Sequence, residues 1–313
     1  MIVKLLSNSR YNESNATASV VVTSGTQKAI FGYGYGTLSM TNLVSSTGVV
    51  ATDTTGVGTG RFGLAAAGYG SDKAIFGYGT DNYSMLSLTN LVSNTGVVAG
   101  DTTGVGSGRY GLAAADYGTD KAIFGYGING TNTVLTTKNL VSNTGVVAGD
   151  SSGAGTARYY LTAAGYGTDK AVFGYGYPYP SSAISNTNLV SNTGVIATDT
   201  TGVGTARYVL AAAGYGTDKA IFGYGYSSAN VSITNLVSNT GVVATDTTGV
   251  GTARNSLAAA RYGGDKAIFG FGYSSANVSI TNLVSNTGVV ASDQTSLTGT
   301  ARYGLAAAGY STT

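Results

Sequence analysis

The chain contains no cysteine, no histidine and no tryptophan, one glutamate (Glu13) and two prolines among 313 residues. Without cysteine there is no disulfide framework, no thiolate metal site and no thiol nucleophile. Without histidine the commonest general base and metal ligand is missing, and with it the serine–histidine hydrolases. Charge is scarce: Lys+Arg 16 and Asp+Glu 14 make 10% of the chain, against about a quarter in ordinary domains. A net charge of +2 is too small for nucleic-acid or anionic-membrane binding by bulk electrostatics. No apolar run approaches the length of about 18 residues needed to span a membrane as a helix. The opening M-I-V-K-L-L-S-N-S-R is too short in its apolar part for a signal-peptide core. Synthesis in a cytoplasm is therefore expected. These absences leave no cofactor or metal site to expect and make an enzyme a remote expectation.

What is abundant is glycine, 49 residues, and a hydrophobic content of 42% that suffices for a sizeable core. The glycine comes in a repeat. K-A-I-F-G-Y-G or a near copy recurs with its lysine at Lys28, Lys73, Lys121, Lys170, Lys219 and Lys266. An arginine, usually within T-A-R-Y, recurs at Arg61, Arg109, Arg158, Arg207, Arg254 and Arg302. Six copies at a period of 45 to 49 residues indicate a propeller, a solenoid or an array.

The local pattern narrows this. From Arg207 the chain reads R-Y-V-L-A-A-A-G-Y, then G-T-D, then K-A-I-F-G-Y-G. After a loop come N-V-S-I-T-N-L-V, the turn S-N-T-G and V-V-A-T-D. These are four short runs cut by glycine- and asparagine-rich turns, too short for ordinary helices. In the third, Val231 and Ile233 alternate with Ser232 and Thr234. Four antiparallel strands per repeat predict an all-β, six-bladed β-propeller. The small L-A-A-A-G run suits the crowded axis. Adjacent Ile221 and Phe222 point to opposite faces, so K-A-I-F-G is expected second, buried on both sides.

An arginine opening a small-residue inner strand, followed by an apolar second strand ending in glycines (Ile221-Phe222-Gly223-Tyr224-Gly225), resembles the kelch repeat. The likeness covers about residues 20 to 310. The chain has G-Y-G where kelch blades carry a double glycine, and no tryptophan in the outer strand. In style the near-identical blades also resemble virion appendage proteins of tailed phages. The resemblance implies a propeller that binds other proteins or glycans.

The strand count suggests how the ring ends. Arg302–Tyr310 repeats the inner-strand pattern and is expected to complete the blade begun at Lys28. Residues 1–24 would then form an arm or added edge strand beside a domain of residues 25–313. Alternatively Ala18–Thr23 stays in that blade and the C-terminus begins a seventh.

Of the 30 charges, 23 recur with the repeat. Asp53, Asp101, Asp150, Asp199, Asp246 and Asp293 each end a fourth run, eight or nine residues before the next arginine. Structural aspartate–arginine pairs fixing each linker are expected. An arginine ring that binds an anion, or a calcium-binding aspartate–threonine loop, are the other options. One carboxylate per loop falls short of the six to eight oxygens that calcium takes.

The copies differ chiefly in the loop after the second run. It reads Y-G-T, T-D-N-Y-S-M, I-N-G-T-N-T, Y-P-Y-P-S-S-A and, twice, Y-S-S-A-N. Diversified loops on a rigid scaffold are where binding usually sits, although surface tolerance alone would give the same pattern. Tyr35, Tyr83, Asn129, Tyr177, Tyr179, Tyr226 and Tyr273 are the candidate contacts, since tyrosine offers a flat stacking surface at low entropic cost. The expected function is a non-enzymatic adhesive or structural module of a virion or surface assembly. Its partners would be other virion proteins or a host glycan, with no nucleic acid and no membrane insertion. An intracellular adaptor is the alternative. A glycan-processing enzyme is remote, because the linker A-T-D-T-T-G-V-G-T lacks the serine and tryptophan of the sialidase turn.

Overall fold

The structure, a computed structural model, describes residues 27–295 and 299–310. The expected arm, residues 1–24, and the alternative strand Ala18–Thr23 lie outside these. The described residues contain no helix; they form six three-stranded antiparallel sheets and a short ribbon pairing Arg109–Tyr110 with Ile128–Asn129.

The middle strand of each sheet is the K-A-I-F-G run, at Lys28–Gly34, Lys73–Gly77, Lys121–Gly125, Lys170–Gly174, Lys219–Gly223 and Lys266–Gly270. One neighbour is an alanine-rich strand: Ala65–Tyr69, Ala113–Tyr117, Thr162–Tyr166, Ala211–Tyr215 and Ala258–Tyr262 for the second to sixth sheets. The sixth such strand, Ala306–Tyr310, pairs with Lys28–Gly34, aligning Lys28 with Tyr310 and Gly32 with Ala306. The C-terminal strand thus completes the sheet that the first repeat begins. The other neighbour is the T-N-L-V strand, as at Thr234–Val237.

Local chemistry accounts for these hairpins. Tyr215 pairs with Lys219 across the turn Gly216-Thr217-Asp218. There Gly216 and Thr217 adopt φ of 59° and 72°, the left-handed conformation that matches strand twist. Ile221 and Phe222 are both fully buried, because each sheet is covered on both faces.

The sheets interlock through one repeated contact. A Cβ on Gly223 would stand 2.7 Å from Cζ of Phe269 in the next sheet, so only glycine admits that ring. The same contact joins Gly32 to Phe76, Gly77 to Phe124, Gly125 to Phe173, Gly174 to Phe222 and Gly270 to Phe31. It therefore runs from each sheet to the next and from the sixth back to the first. Burying each phenylalanine stabilises by about 1.5–3 kcal/mol. A second chain of contacts is made by backbone. The amide of Gly63 donates to the carbonyl of Gly304, Gly111 to Gly63, Tyr160 to Gly111, Val209 to Tyr160, Ser256 to Val209 and Gly304 to Ser256. All six residues have φ between 48° and 67°, including the β-branched Val209 at 48°. Such a conformation costs a non-glycine residue about 1–2 kcal/mol, so the hydrogen-bonded cycle holds three residues against their preference.

Two expectations are corrected. The V-V-A-T-D run is not a fourth strand. It touches the T-N-L-V strand only at isolated bridges, such as Val237 with Val243 and Thr234 with Thr247. Between these the Asn235 side chain takes the Ala244 carbonyl at 3.0 Å and the Asp246 carboxylate at 2.9 Å. A side chain thus stands where a ladder would need backbone, as in every copy. The third strand also begins at Thr234, after the alternating Val231 and Ile233, which pack half-buried outside regular structure.

Candidate functional site

Behind the variable loops lies a buried polar node, repeated in each sheet and represented by Arg207. Its side chain is fully buried. Nε donates to the Tyr224 carbonyl at 2.8 Å, Nη1 to the Thr205 carbonyl at 3.0 Å and Nη2 to Asn235 Oδ1 at 2.7 Å. The guanidinium lies 4.3 Å over the ring of Tyr175 from the preceding sheet, whose hydroxyl donates to Val203 in the linker at 3.1 Å. Asp246 accepts from the Thr205 amide at 3.0 Å, the Thr205 hydroxyl at 2.6 Å and Asn235 Nδ2 at 2.9 Å. Burial lowers the pKa of all six repeat arginines, and that of Arg302, stacked on Phe271 instead of a tyrosine, falls to about 10. At Asp246 burial pushes the carboxyl up. The hydrogen bonds from Thr205 and Asn235, with Arg207 behind them, outweigh this and hold it below the usual carboxylate range.

The node corrects the expected pairing. Arg61 faces Asp101, Arg109 faces Asp150, Arg158 faces Asp199, Arg207 faces Asp246 and Arg302 faces Asp53, at N···O distances of 3.7–3.9 Å. Each arginine therefore meets the aspartate of the sheet it opens, one repeat later, and not the one just before it. The linker carries the chain away from the first aspartate into the next sheet, where a new one waits. Asp293 likewise clasps Thr252, just ahead of Arg254. Asp53 clasps Thr300, joining the first and last repeats. The shortest bonds run to neutral groups, so the direct hold is aspartate to threonine and arginine to asparagine. With their donors engaged, the arginines do not present an anion-binding ring. The aspartate oxygens are likewise taken by asparagine and by threonine, or by Ser107 at Asp150, and no cluster of three potential metal-ligating side chains occurs among the described residues.

In front of the node stands a belt of aromatic rings. The residue after each arginine is Phe62, Tyr110, Tyr159, Tyr208, Asn255 or Tyr303. These meet the first residues of the variable loops in short antiparallel bridges, such as Tyr159 with Tyr177, Tyr208 with Tyr226 and Asn255 with Tyr273. Tyr35 stacks on Tyr303 at 4.7 Å and meets Phe62 edge-on at 5.0 Å; Tyr273 adjoins Tyr303 at 5.6 Å. On the other side Tyr177 contacts Tyr159, Tyr179 and Tyr208, and Tyr208 contacts Tyr226. Tyr110, Tyr159 and Tyr160 continue this second group. Burial and the neighbouring phenols push Tyr159 up to about 12 and raise Tyr160 as well, so these two phenols stay protonated at neutral pH.

The structure thus places five of the seven sequence candidates in two aromatic groups, Tyr35 and Tyr273 around Tyr303, and Tyr177, Tyr179 and Tyr226 around Tyr208 and its neighbours. Tyr83 stands apart, 94% exposed. Asn129 is engaged within its own loop: its Oδ1 accepts from the Thr131 amide at 3.1 Å, the Thr131 hydroxyl at 2.8 Å and the Thr133 amide at 2.9 Å. It shapes the turn and is not an available contact. Sequence reasoning missed Phe62, Tyr110, Tyr159, Tyr208 and Tyr303, each directly after a repeat arginine, and Tyr160 one position further on. The signal was there: an aromatic follows the arginine in five copies of six.

No protein-family model matches the chain, and no curated protein is significantly similar to it.

Proposed function

We propose that the six sheets are the blades of a closed six-bladed propeller, kelch-like in plan, that serves as a non-enzymatic adhesive module of a virion or other surface assembly. The cyclic glycine–phenylalanine contacts, the hydrogen-bonded cycle through Gly63 and Gly304 and the C-terminal strand beside Lys28–Gly34 support the closed ring. The observation that carries the function is the half-exposed aromatic belt on the one face whose loops vary. Flat phenols around a rigid rim suit stacking on sugar rings. The ligand is a neutral glycan: the arginines behind the belt have their donors engaged, and Asp81 is the only charge in the loops quoted above. An acidic sugar would need a free cation there.

A glycan array followed by titration tests this. The protein should bind neutral oligosaccharides and ignore sialylated ones. Tyr179→Ser, at a side chain 53% exposed, should weaken binding by about tenfold while changing stability by less than about 0.5 kcal/mol. Absence of neutral-glycan binding, or affinity unmoved by Tyr179→Ser and Tyr35→Ser, would reject the assignment. Capture of a protein through this belt would move it to the partner-protein reading.

A further inference from the structure

The charges outside the repeat are few, and two of them share one level of the alanine strands. Among the described residues they are Asp81, Asp116, Lys138 and Arg261. Asp81 organises its own loop, and Lys138 donates to the Gly194 carbonyl at 2.9 Å. Asp116 and Arg261 occupy one level of the alanine strands, where the other four carry Gly68, Gly165, Gly214 and Gly309. At this level lies a cavity of about 200 Å³ walled mostly by alanine and glycine; Gln27 also lines it, as do Lys170 and Lys219, whose ammoniums are held by Asp169 and Asp218. Deeper along the strands it gives way to a space of about 100 Å³ lined by leucine, alanine and one threonine.

The two side chains lean toward one another. The strands holding Asp116, Gly165, Gly214 and Arg261 are neighbours in that order. The Asp116 carboxylate lies over Gly165, its oxygens 2.8 and 3.0 Å from where a Cβ would sit. The Arg261 stem passes 3.9 Å from the same position on Gly214. Arg261 Nε donates to the Gly264 carbonyl at 2.9 Å, and Nη2 reaches the same oxygen. This engages one edge of the guanidinium and leaves Nη1 free. The carboxylate forms neither a salt bridge nor a side-chain hydrogen bond to another described residue. Glycine at both neighbouring positions keeps the space between the two charges open.

We propose that this axial cavity binds a small zwitterion, its ammonium held by Asp116 and its carboxylate by Arg261. The volume is below that of drug-sized pockets and suits a ligand of amino-acid size. Opposite charges that reach one small cavity recognise a molecule that carries both, whereas a singly charged ion answers only one of them. Asp116 is exposed to the cavity, yet enclosure by the surrounding strands raises its carboxyl; its own backbone amide and Arg261 offset this only in part, and a bound ammonium would hold it ionised.

Isothermal titration of the full chain with glycine, β-alanine and γ-aminobutyrate, against ethylamine and acetate, tests the proposal. At least one zwitterion should bind about tenfold or more tightly than either singly charged probe. Asp116→Gly and Arg261→Gly should each abolish that binding with the melting temperature preserved, because four sheets already carry glycine there. Asp116→Asn should weaken it without changing the cavity walls. No saturable zwitterion binding, equal binding of ethylamine or acetate, or binding that survives the double glycine variant would each overturn the assignment.

Discussion

Replacing Arg207 with alanine should destabilise the protein far more than replacing the aspartate beside it. The arginine is fully buried, whereas the Asp246 side chain keeps 29% of its exposure. Without Arg207 the Tyr224 carbonyl and Asn235 Oδ1 lose a buried donor, at about 1–3 kcal/mol each. The stack on Tyr175, worth about 2 kcal/mol when desolvated, is lost too. Relief from desolvating the guanidinium offsets part of this, leaving a net cost of about 3–5 kcal/mol. In Asp246→Asn, by contrast, one Thr205 donor meets an amide, and water can reach the site, so about 1 kcal/mol is expected. Urea denaturation followed by tyrosine fluorescence and far-ultraviolet circular dichroism measures both, and coincidence of the two probes checks cooperativity. An Arg207→Ala protein within about 1 kcal/mol of the parent would refute the node, as would an aspartate variant that costs as much as the arginine.

Further outcomes follow from the same contacts. Gly223→Ala places a Cβ 2.7 Å from Phe269 and should cost about 1–3 kcal/mol by overpacking, with rescue by Phe269→Leu; full stability in the single variant would mean that the sheets slide freely. Deleting residues 306–313 strips the first sheet of a paired strand and should abolish cooperative unfolding, whereas an unchanged melting curve would show that Lys28–Gly34 does not depend on it. The six node aspartates have pKa values below the ordinary one, so their stabilisation is present above about pH 4 and is lost as pH falls further. The buried tyrosines are raised, Tyr126 to about 12, so their contribution is present below about pH 10 and is lost as pH rises through the folded value. Denaturation midpoints across pH should therefore fall at both ends; a steep loss near pH 6, where no histidine exists to titrate, would contradict this.

The sequence by itself determined the period, the place of the small and bulky strands and the turns between them. These are local matters: alternation, residue volume and the glycines that accept positive φ act within a few neighbours. It also confined the variation between copies chiefly to the loop after the second run. Tertiary structure alone decided which aspartate meets which arginine, since the chain leaves Asp53 for another sheet and returns to it only at Thr300. It turned the fourth run into a bridged edge, because the Asn235 side chain competes with backbone for the Ala244 carbonyl. It gathered Tyr159, Tyr177 and Tyr208 into one cluster although they come from adjacent repeats. Asp116 and Arg261 read along the chain as two stray charges in alanine strands. Only the packing of those strands side by side turns them toward a single chamber, because which residues share a level depends on register between sheets.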